Sequence, residues 1–417
     1  MVRLIHLSDT HLGHKERNGV RDGWAVTLRS RWVEDDFYKQ FQRVFDKIIE
    51  MKDKYDVVVH SGDLFDAPWE RNPYPVSEVA REIAFDTFEK YFKKVGKPLI
   101  IIEGNHGLYK GIDASLLSSF KYAFPEIYIA TYVDLKDALN KRKPLKFEFD
   151  DFEVFAFPYV SRDTLQNPQL REIYKQWILT QQKPGTKTSI AVAHGMELDE
   201  TLPPEIKQHN YDYLALGHDH HMHQYTANGY YAGSIEKWRF DEYKHEKGIL
   251  LVNAEKGKKP IVEKIIIPTQ RPMYVKEIEI TNKDIAENIL NRIEKILEQL
   301  GLKAPFDPQT AARLKIKIEG KTSLTKSWEI ESRLSYYVTD ILKSDEYNIV
   351  QFTWDYEVYK EDMGDIINPT EDTDYLIEDP EEEVREFISE LTIPEEYNED
   401  FLVELITDAL NEILGGE

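Results

Sequence analysis

No cysteine occurs in the 417 residues, so disulfide stapling and thiolate chemistry are excluded, and any bound metal must rely on harder donors. No apolar run approaches the roughly 20 residues needed to cross a bilayer. The opening VRLIHL is too short for a secretory leader and runs directly into polar residues, so no signal peptide is expected. A reducing, intracellular setting (cytoplasm or nucleoid) is the default for such a chain. Internal repeats and low-complexity tracts are also missing, apart from one bias of charge. Residues 361–417 hold 21 acidic side chains against a single basic one, Arg385, a net of −20. The whole chain carries −23, which leaves −3 for residues 1–360. The acidity therefore belongs to the tail, and it excludes no polyanionic partner for the body.

What is present reads as α/β architecture. VRLIHLS, DVVVHSG, PLIIIEG, EVFAFPY, SIAVAHG and DYLALGH are short β-rich runs within residues 1–265. Between the first of them lie helical stripes: Phe37, Phe41, Val44, Phe45, Ile48 and Ile49, then Val79, Ile83, Thr87, Phe88 and Tyr91. Strands alternating with helices predict a layered domain around a largely buried sheet. Residues 268–360 form a second, smaller unit of β-α-β-α-β pattern, with strands in MYVKEIEI, ARLKIKIEG and YNIVQFTWDYEV and its first helix closed by Gly301. Lys315, Lys317, Lys321 and Lys326 lie together in it, either as a solvated face or as phosphate contacts. Residues 361–379 read as an acidic linker, and 380–417 as a helix pair with apolar stripes Val384, Phe387, Ile388, Leu391 and Leu402, Leu405, Ile406, Ala409, Leu410, Ile413. Such stripes either fold back on the body or dock a partner.

The chemistry sits where the apolar runs end. Asp9 and His11 follow the first run, Asp63 the second, Asn105 and His106 the third, His194 a later one, and His218 and His220 the last. Strand carboxyl ends in open α/β sheets converge on one crevice, so residues some two hundred positions apart can meet there. In D-x-H and H-x-H the two side chains project the same way from extended backbone. Imidazole, carboxylate and amide oxygen together suit Mn²⁺, Fe²⁺ or Zn²⁺. Asp9, His11, Asp63, Asn105, His194, His218 and His220 are too many donors for one ion and suit two that share a bridging carboxylate. Gly62, Gly104, Gly195 and Gly217 fit tight backbone turns around them. His6 and His60 read as core residues, and His209, His221 and His223 as bystanders.

The ordered set DTH, GDLFD, GNH, AHG and GHDH resembles the calcineurin-like metallophosphoesterase superfamily. SDTHLG, HSGDLFD and YYAGSIEKWRFDE look like one branch of it, the Mre-eleven/SbcD family of DNA double-strand-break repair nucleases. The motifs cover the first 240 residues, and only the architecture covers the rest. The resemblance implies a two-sheet α/β sandwich with a DNA-binding cap domain, two Mn²⁺ ions, and 3′-to-5′ exonuclease and single-strand endonuclease activity. It implies one ion on Asp9, His11 and His220, the other on Asn105, His194 and His218, Asp63 between them, and His106 as general acid rather than ligand. It further implies a homodimer through helices near the N-terminus, corresponding here to the apolar stripes of residues 35–53 and 76–92. The implied partner is a coiled-coil ATPase of the structural-maintenance type (Rad-fifty/SbcC type), gripped by Phe387, Ile388, Leu391, Leu402, Leu405, Ile406 and Leu410. Gly107 departs from the acidic residue that many relatives carry after G-N-H.

One long loop adds a further expectation. Lys15, Arg17, Arg21, Arg29 and Arg31 stand beside Trp24 and Trp32, as a DNA-contacting surface or as a loop pinned by its tryptophans. The rival functions are a phosphatase or small-molecule phosphodiesterase on the same ions, and a DNA-end tethering scaffold. Residues 268–417 weigh against the minimal phosphatase, and the complete donor set weighs against a catalytically dead scaffold.

Overall fold

The computed structural model describes residues 1–14, 29–66, 76–107, 115–181, 185–208, 210–361 and 403. The chain divides into two units, Met1–Glu361 and Asp362–Glu417. The linker and the apolar stripes expected in the second unit lie outside the described residues, as do His209, Trp24, Lys15, Arg17 and Arg21.

Two six-stranded sheets build the larger part of the first unit. One contains β1 (Val2–Leu7), β2 (Val57–His60), β3 (Leu99–Ile102) and β4 (Ile127–Ala130). The other contains β5 (Lys146–Glu148), β6 (Phe152–Phe157), β7 (Thr188–His194), β8 (Tyr213–Gly217), β9 (His223–Gln224) and β10 (Gly229–Tyr231). The chain then returns to the first sheet with β11 (Gly248–Ala254) and β12 (Ile261–Ile266). Strand orders are β12-β11-β1-β2-β3-β4 and β5-β6-β7-β8-β10-β9. β1 to β4 run parallel, as do β6, β7, β8 and β10, so their carboxyl ends share one edge of the sandwich.

Parallel strands covered on both faces should be apolar throughout rather than alternating, and VVVH, LIII and TSIAVAH are buried at every position. Leu4, Val57, Val59, Ile100 and Ile102 meet Val154, Ala156, Ile190 and Val192 between the sheets. On the outer face of the first sheet lie helices Ser30–Glu50 and Glu78–Lys94, with Phe37, Phe41, Val44, Phe45, Ile48, Phe88 and Tyr91 fully buried. This corrects one expectation: the stripes read as a dimer surface are spent on the chain's own core, because a helix covering a sheet must bury its apolar face there. Val79 is the exception, more than half exposed.

A three-stranded parallel sheet of order β13-β14-β15 completes the unit: Met273–Ile280, Ala312–Ser323 and Ile349–Glu361. Helices Ala286–Gln299 and Leu324–Lys343 bury Ile289, Ile293, Leu334 and Val338 against Leu314, Ile316 and Ile318 on one face. Two of the four lysines read as a solvated face or as phosphate contacts are engaged within the chain: Lys315 pairs with Asp355 at 2.6 Å, and Lys326 donates to the Asn282 carbonyl at 2.6 Å.

Three buried arginines join this small sheet to the sandwich. Arg271 forks onto Asp36 and donates to the Ala311 carbonyl at 2.7 Å. Arg313 reaches the carbonyls of Lys237 and Trp238 at 2.7 and 3.0 Å. Arg29 donates to the carbonyls of Ile349 and Ser344 at 2.6 and 2.9 Å and covers the Phe306 ring at 3.6 Å. Arg29 is thus a fastener, which overturns its expected role on a DNA-facing loop: a guanidinium donating to backbone carbonyls in a buried seam is withdrawn from solvent phosphate. Arg31 remains exposed over the Trp32 ring at 4.4 Å. Among the described residues no helix is long and apolar enough to cross a membrane.

Candidate metal centre

The carboxyl ends of β1, β2, β3, β7 and β8 deliver all seven expected donors to one place. Asp9, His11 and His220 offer atoms within 4.8 Å of one another, and so do Asp9, Asp63 and His194. Asn105 Oδ1 lies 2.9 Å from His194 Nε2 and 3.0 Å from His218 Nδ1. His11 Nε2 faces His220 Nε2 at 3.0 Å. Asp9 belongs to both of these groups and Asp63 to the second, so the Asp9 carboxylate is the one common to them.

Holding these side chains inward strains the backbone. Six described non-glycine residues have positive φ, and four of them are Asp9, His11, Asp63 and His218. Each such conformation costs on the order of 1–3 kcal/mol and survives only where its surroundings enforce it. Here Asp9 N donates to the Gly62 carbonyl at 3.0 Å, His11 N to the Asp63 carbonyl at 3.1 Å, and His218 N to Asp9 Oδ2 at 3.1 Å. Gly62 and Gly104 permit the close approach, since a Cβ would stand 2.1 Å from His194 Nδ1 at the first and 2.1 Å from Asp63 Oδ1 at the second. Gly107 has a local reason too: a Cβ there would meet the Glu103 side chain at 2.9 Å.

Hydrogen bonds on the far side of three of the rings set their tautomers. Carbonyl and carboxylate oxygens only accept, so the nitrogen facing them carries the proton. His194 Nδ1 faces the Ser61 carbonyl at 2.8 Å, His220 Nδ1 faces Glu242 Oε1 at 2.9 Å, and His218 Nε2 faces Asp199 Oδ2 at 2.6 Å. The remaining nitrogens then present lone pairs to the Asn105 oxygen and the His11 ring. Lone pair against lone pair is repulsive unless a proton or a cation lies between. Burial disfavours charge on His194, yet Asp63 outweighs it and lifts the ring to about 9, so a proton serves in the ion's place. Burial, reinforced by His106 and His220, holds His11 well below the ordinary imidazole range, as a ligand requires. This donor set fits divalent cations.

His106 stands apart from that arrangement. Its Nδ1 lies 2.6 Å from Asp66 Oδ1, and its backbone N–H donates to Asp63 Oδ1 at 2.8 Å. Burial opposes the charged ring, but Asp63 and Asp66 together raise it above the ordinary imidazole range. Asp66, His11 and His106 also form a third converging group, yet the short Asp66–His106 ion pair favours a proton there over a metal. His6 and His60 are core residues: His6 bonds Tyr213 and Ser61, and His60 bonds Thr10. His221 and His223 lie outside the cluster, stacked on each other at 5.3 Å.

Sequence reasoning missed Asp66, Glu242, Asp199 and Trp238. Asp66 closes the quoted GDLFD, and Trp238 and Glu242 lie inside the quoted YYAGSIEKWRFDE, so the signal was a polar residue within a motif already in hand. Asp199 carried no such mark.

The sequence signature of calcineurin-like phosphoesterases matches residues 2–222, more than half the chain. The chain belongs to the calcineurin-like phosphoesterase family. This phosphoesterase is also similar to archaeal proteins named DNA double-strand break repair protein Mre11. It is 28% identical to that of Sulfurisphaera tokodaii over 70% of this chain and 69% of the relative. It is 28% identical to that of Saccharolobus solfataricus over 72% and 71%, and 24% identical to that of Thermoplasma acidophilum over 77% of each. Among solved structures, a purple acid phosphatase from yellow lupin seeds aligns with 53% of this chain and 38% of its own at 14% identity and a TM-score of 0.28.

Proposed function

We propose that this phosphoesterase is a two-metal DNA nuclease that processes ends in double-strand-break repair, as a 3′-to-5′ exonuclease and single-strand endonuclease. The convergence of seven donors with their lone pairs turned toward one another carries the metal reading, and similarity to the Mre11 proteins supports DNA as the substrate. In this reading Asp9, His11 and His220 would hold one Mn²⁺ and Asn105, His194 and His218 the other, with Asp63 serving both. Two such ions would supply an activated water and offset the charge that builds on the phosphoryl oxygens. His106 sits beside them, orients the scissile phosphate and delivers a proton from Nε2 to the leaving 3′ oxygen. Asp66 holds the His106 ring from behind and stabilises its charged form. Cleavage of end-labelled duplex and hairpin DNA with added Mn²⁺, run beside p-nitrophenyl phosphate hydrolysis, tests the reading. Turnover of the small ester with intact DNA would assign a phosphatase instead.

D66N gives a narrower check. It keeps the shape and removes the charge that raises His106, so less of the acid is protonated at a given pH. Cleavage should fall by about 10²-fold. Because the ring now loses its proton sooner as pH rises, the alkaline limb of the pH–rate profile should move to lower pH. A profile identical to the parent's would remove Asp66 from the mechanism.

The small sheet, residues 268–360, is read as a DNA-binding cap, and Lys15, Arg17, Arg21 and Arg31 as contacts beside the crevice. A homodimer in this reading uses faces of the two N-terminal helices other than their buried stripes. The apolar pattern of 380–417 is read as the dock for the coiled-coil ATPase, with 361–379 as its linker. A chain ending at Glu361 should keep Mn²⁺-dependent cleavage and lose that ATPase. Stoichiometric co-purification of the shortened chain with the ATPase would refute the assignment. The −20 tail does not preclude DNA binding if it lies away from the crevice, since charge is screened within roughly 8 Å at physiological salt.

A further inference from the structure

Three of the four site histidines are held from behind by a hydrogen bond: His194 by Ser61, His218 by Asp199 and His220 by Glu242. His11 is not. Its Nδ1 is buried and has no hydrogen-bond partner among the described residues, while its Nε2 faces His220. Trp238 stacks on this ring at 4.5 Å between centroids with 27° between planes, while His106 and His220 meet it edge-on at 4.9 Å. The same indole lies 4.9 Å from the His220 ring and 5.2 Å from His106. Its Nε1 lies 2.7 Å from His14 Nδ1, the nitrogen that also faces Asp66 Oδ2 at 2.8 Å. Its backbone is held from the other side, since Arg313 of β14 donates to the carbonyls of Lys237 and Trp238.

Resting on the two-metal reading above, we infer that Trp238 is the positioning residue for His11, seated by Arg313, so that the small sheet sets metal affinity at the Asp9–His11–His220 site. Two physical effects act together. The stack removes rotational freedom that an imidazole with no hydrogen bond on its far nitrogen would otherwise keep. A ring whose nitrogen binds a divalent cation also becomes electron-poor, and an electron-rich indole face attracts it more strongly. The contribution therefore grows on metal binding and appears as affinity rather than only as fold stability.

The test is Mn²⁺ titration of the full chain by calorimetry, with electron paramagnetic resonance to follow the coupled metal pair. W238A should weaken one of two Mn²⁺ sites by about three- to tenfold and leave the other unchanged. In resonance, an uncoupled single-ion spectrum should appear at Mn²⁺ concentrations where the parent shows the coupled pair. W238F keeps a stacking face and should recover most of the loss. R313A should lower the same site in the same direction. Parental affinity at both sites in W238A, equal weakening of both, or a W238F as weak as W238A would overturn the role of Trp238. An R313A with unchanged affinities would sever the link to the small sheet. If the parent itself binds no Mn²⁺, the two-metal reading has failed, which is a separate result.

Discussion

H106A should lower DNA cleavage by about 10²–10⁴-fold while both Mn²⁺ ions still bind with parental affinity. The reasoning starts from proton bookkeeping. His106 faces Asp66 at 2.6 Å and is raised above the ordinary imidazole range despite its burial, whereas burial holds His11 well below it, so His106 keeps a proton far more readily than His11 does. Paired with the Asp66 carboxylate through Nδ1, the ring is set to hold a proton and suits an acid. Removing it leaves the seven donors in place and deprives the leaving 3′ oxygen of its proton. Single-turnover cleavage of end-labelled DNA together with Mn²⁺ calorimetry separates the roles. A variant that cut at the parental rate, or that lost an ion, would sink the acid assignment.

R271M should destabilise the chain by about 3–5 kcal/mol at neutral pH, because it strands a buried carboxylate. Arg271 and Asp36 are both buried, and the guanidinium also reaches the Ala311 carbonyl at 2.7 Å and the Pro308 carbonyl at 3.2 Å. Burial already raises Asp36 above the ordinary carboxylate range, and Arg271 is the main opposing influence. Without it the folded-state value rises further above the unfolded one. Stability is then lost as pH rises through that value and regained as pH falls toward the ordinary carboxylate range. Equilibrium denaturation at neutral and mildly acidic pH should show a penalty that shrinks on acidification. A second change, D36N, should return part of the loss, since an amide carries no charge to strand. A pH-independent penalty would mean that lost packing, not the stranded buried charge, dominates.

Much of the site was legible because its chemistry is tied to local pattern. Asp9, His11, Asp63, Asn105, His194, His218 and His220 each follow an apolar run, and a run that ends in a donor says both where the strand stops and what stands there. The same holds for the small sheet, whose first strand was expected over MYVKEIEI and spans Met273–Ile280. Arg29 was misread for the complementary reason. A basic residue in a loop reads as solvent-facing, and nothing within several positions announces that carbonyls from residues 344–349 close over it. The helix stripes misled in the same way. Phe41 and Phe45 show that one face must be covered, but periodicity does not say whether the cover is the chain's own sheet or another copy.

By itself, then, the order of residues settled the donor types, their placement at strand ends and the layered α/β class, since alternation and apolar runs encode direction and burial over a few residues. Only the tertiary structure decided which nitrogen faces which oxygen. Pairs such as His11 with His220, 209 positions apart, and Arg313 with Trp238, 75 apart, depend on strand order and on how two sheets stack. Asp66 behind His106 and Trp238 upon His11 belong to that second kind of fact, for a contact across layers leaves no period in the chain.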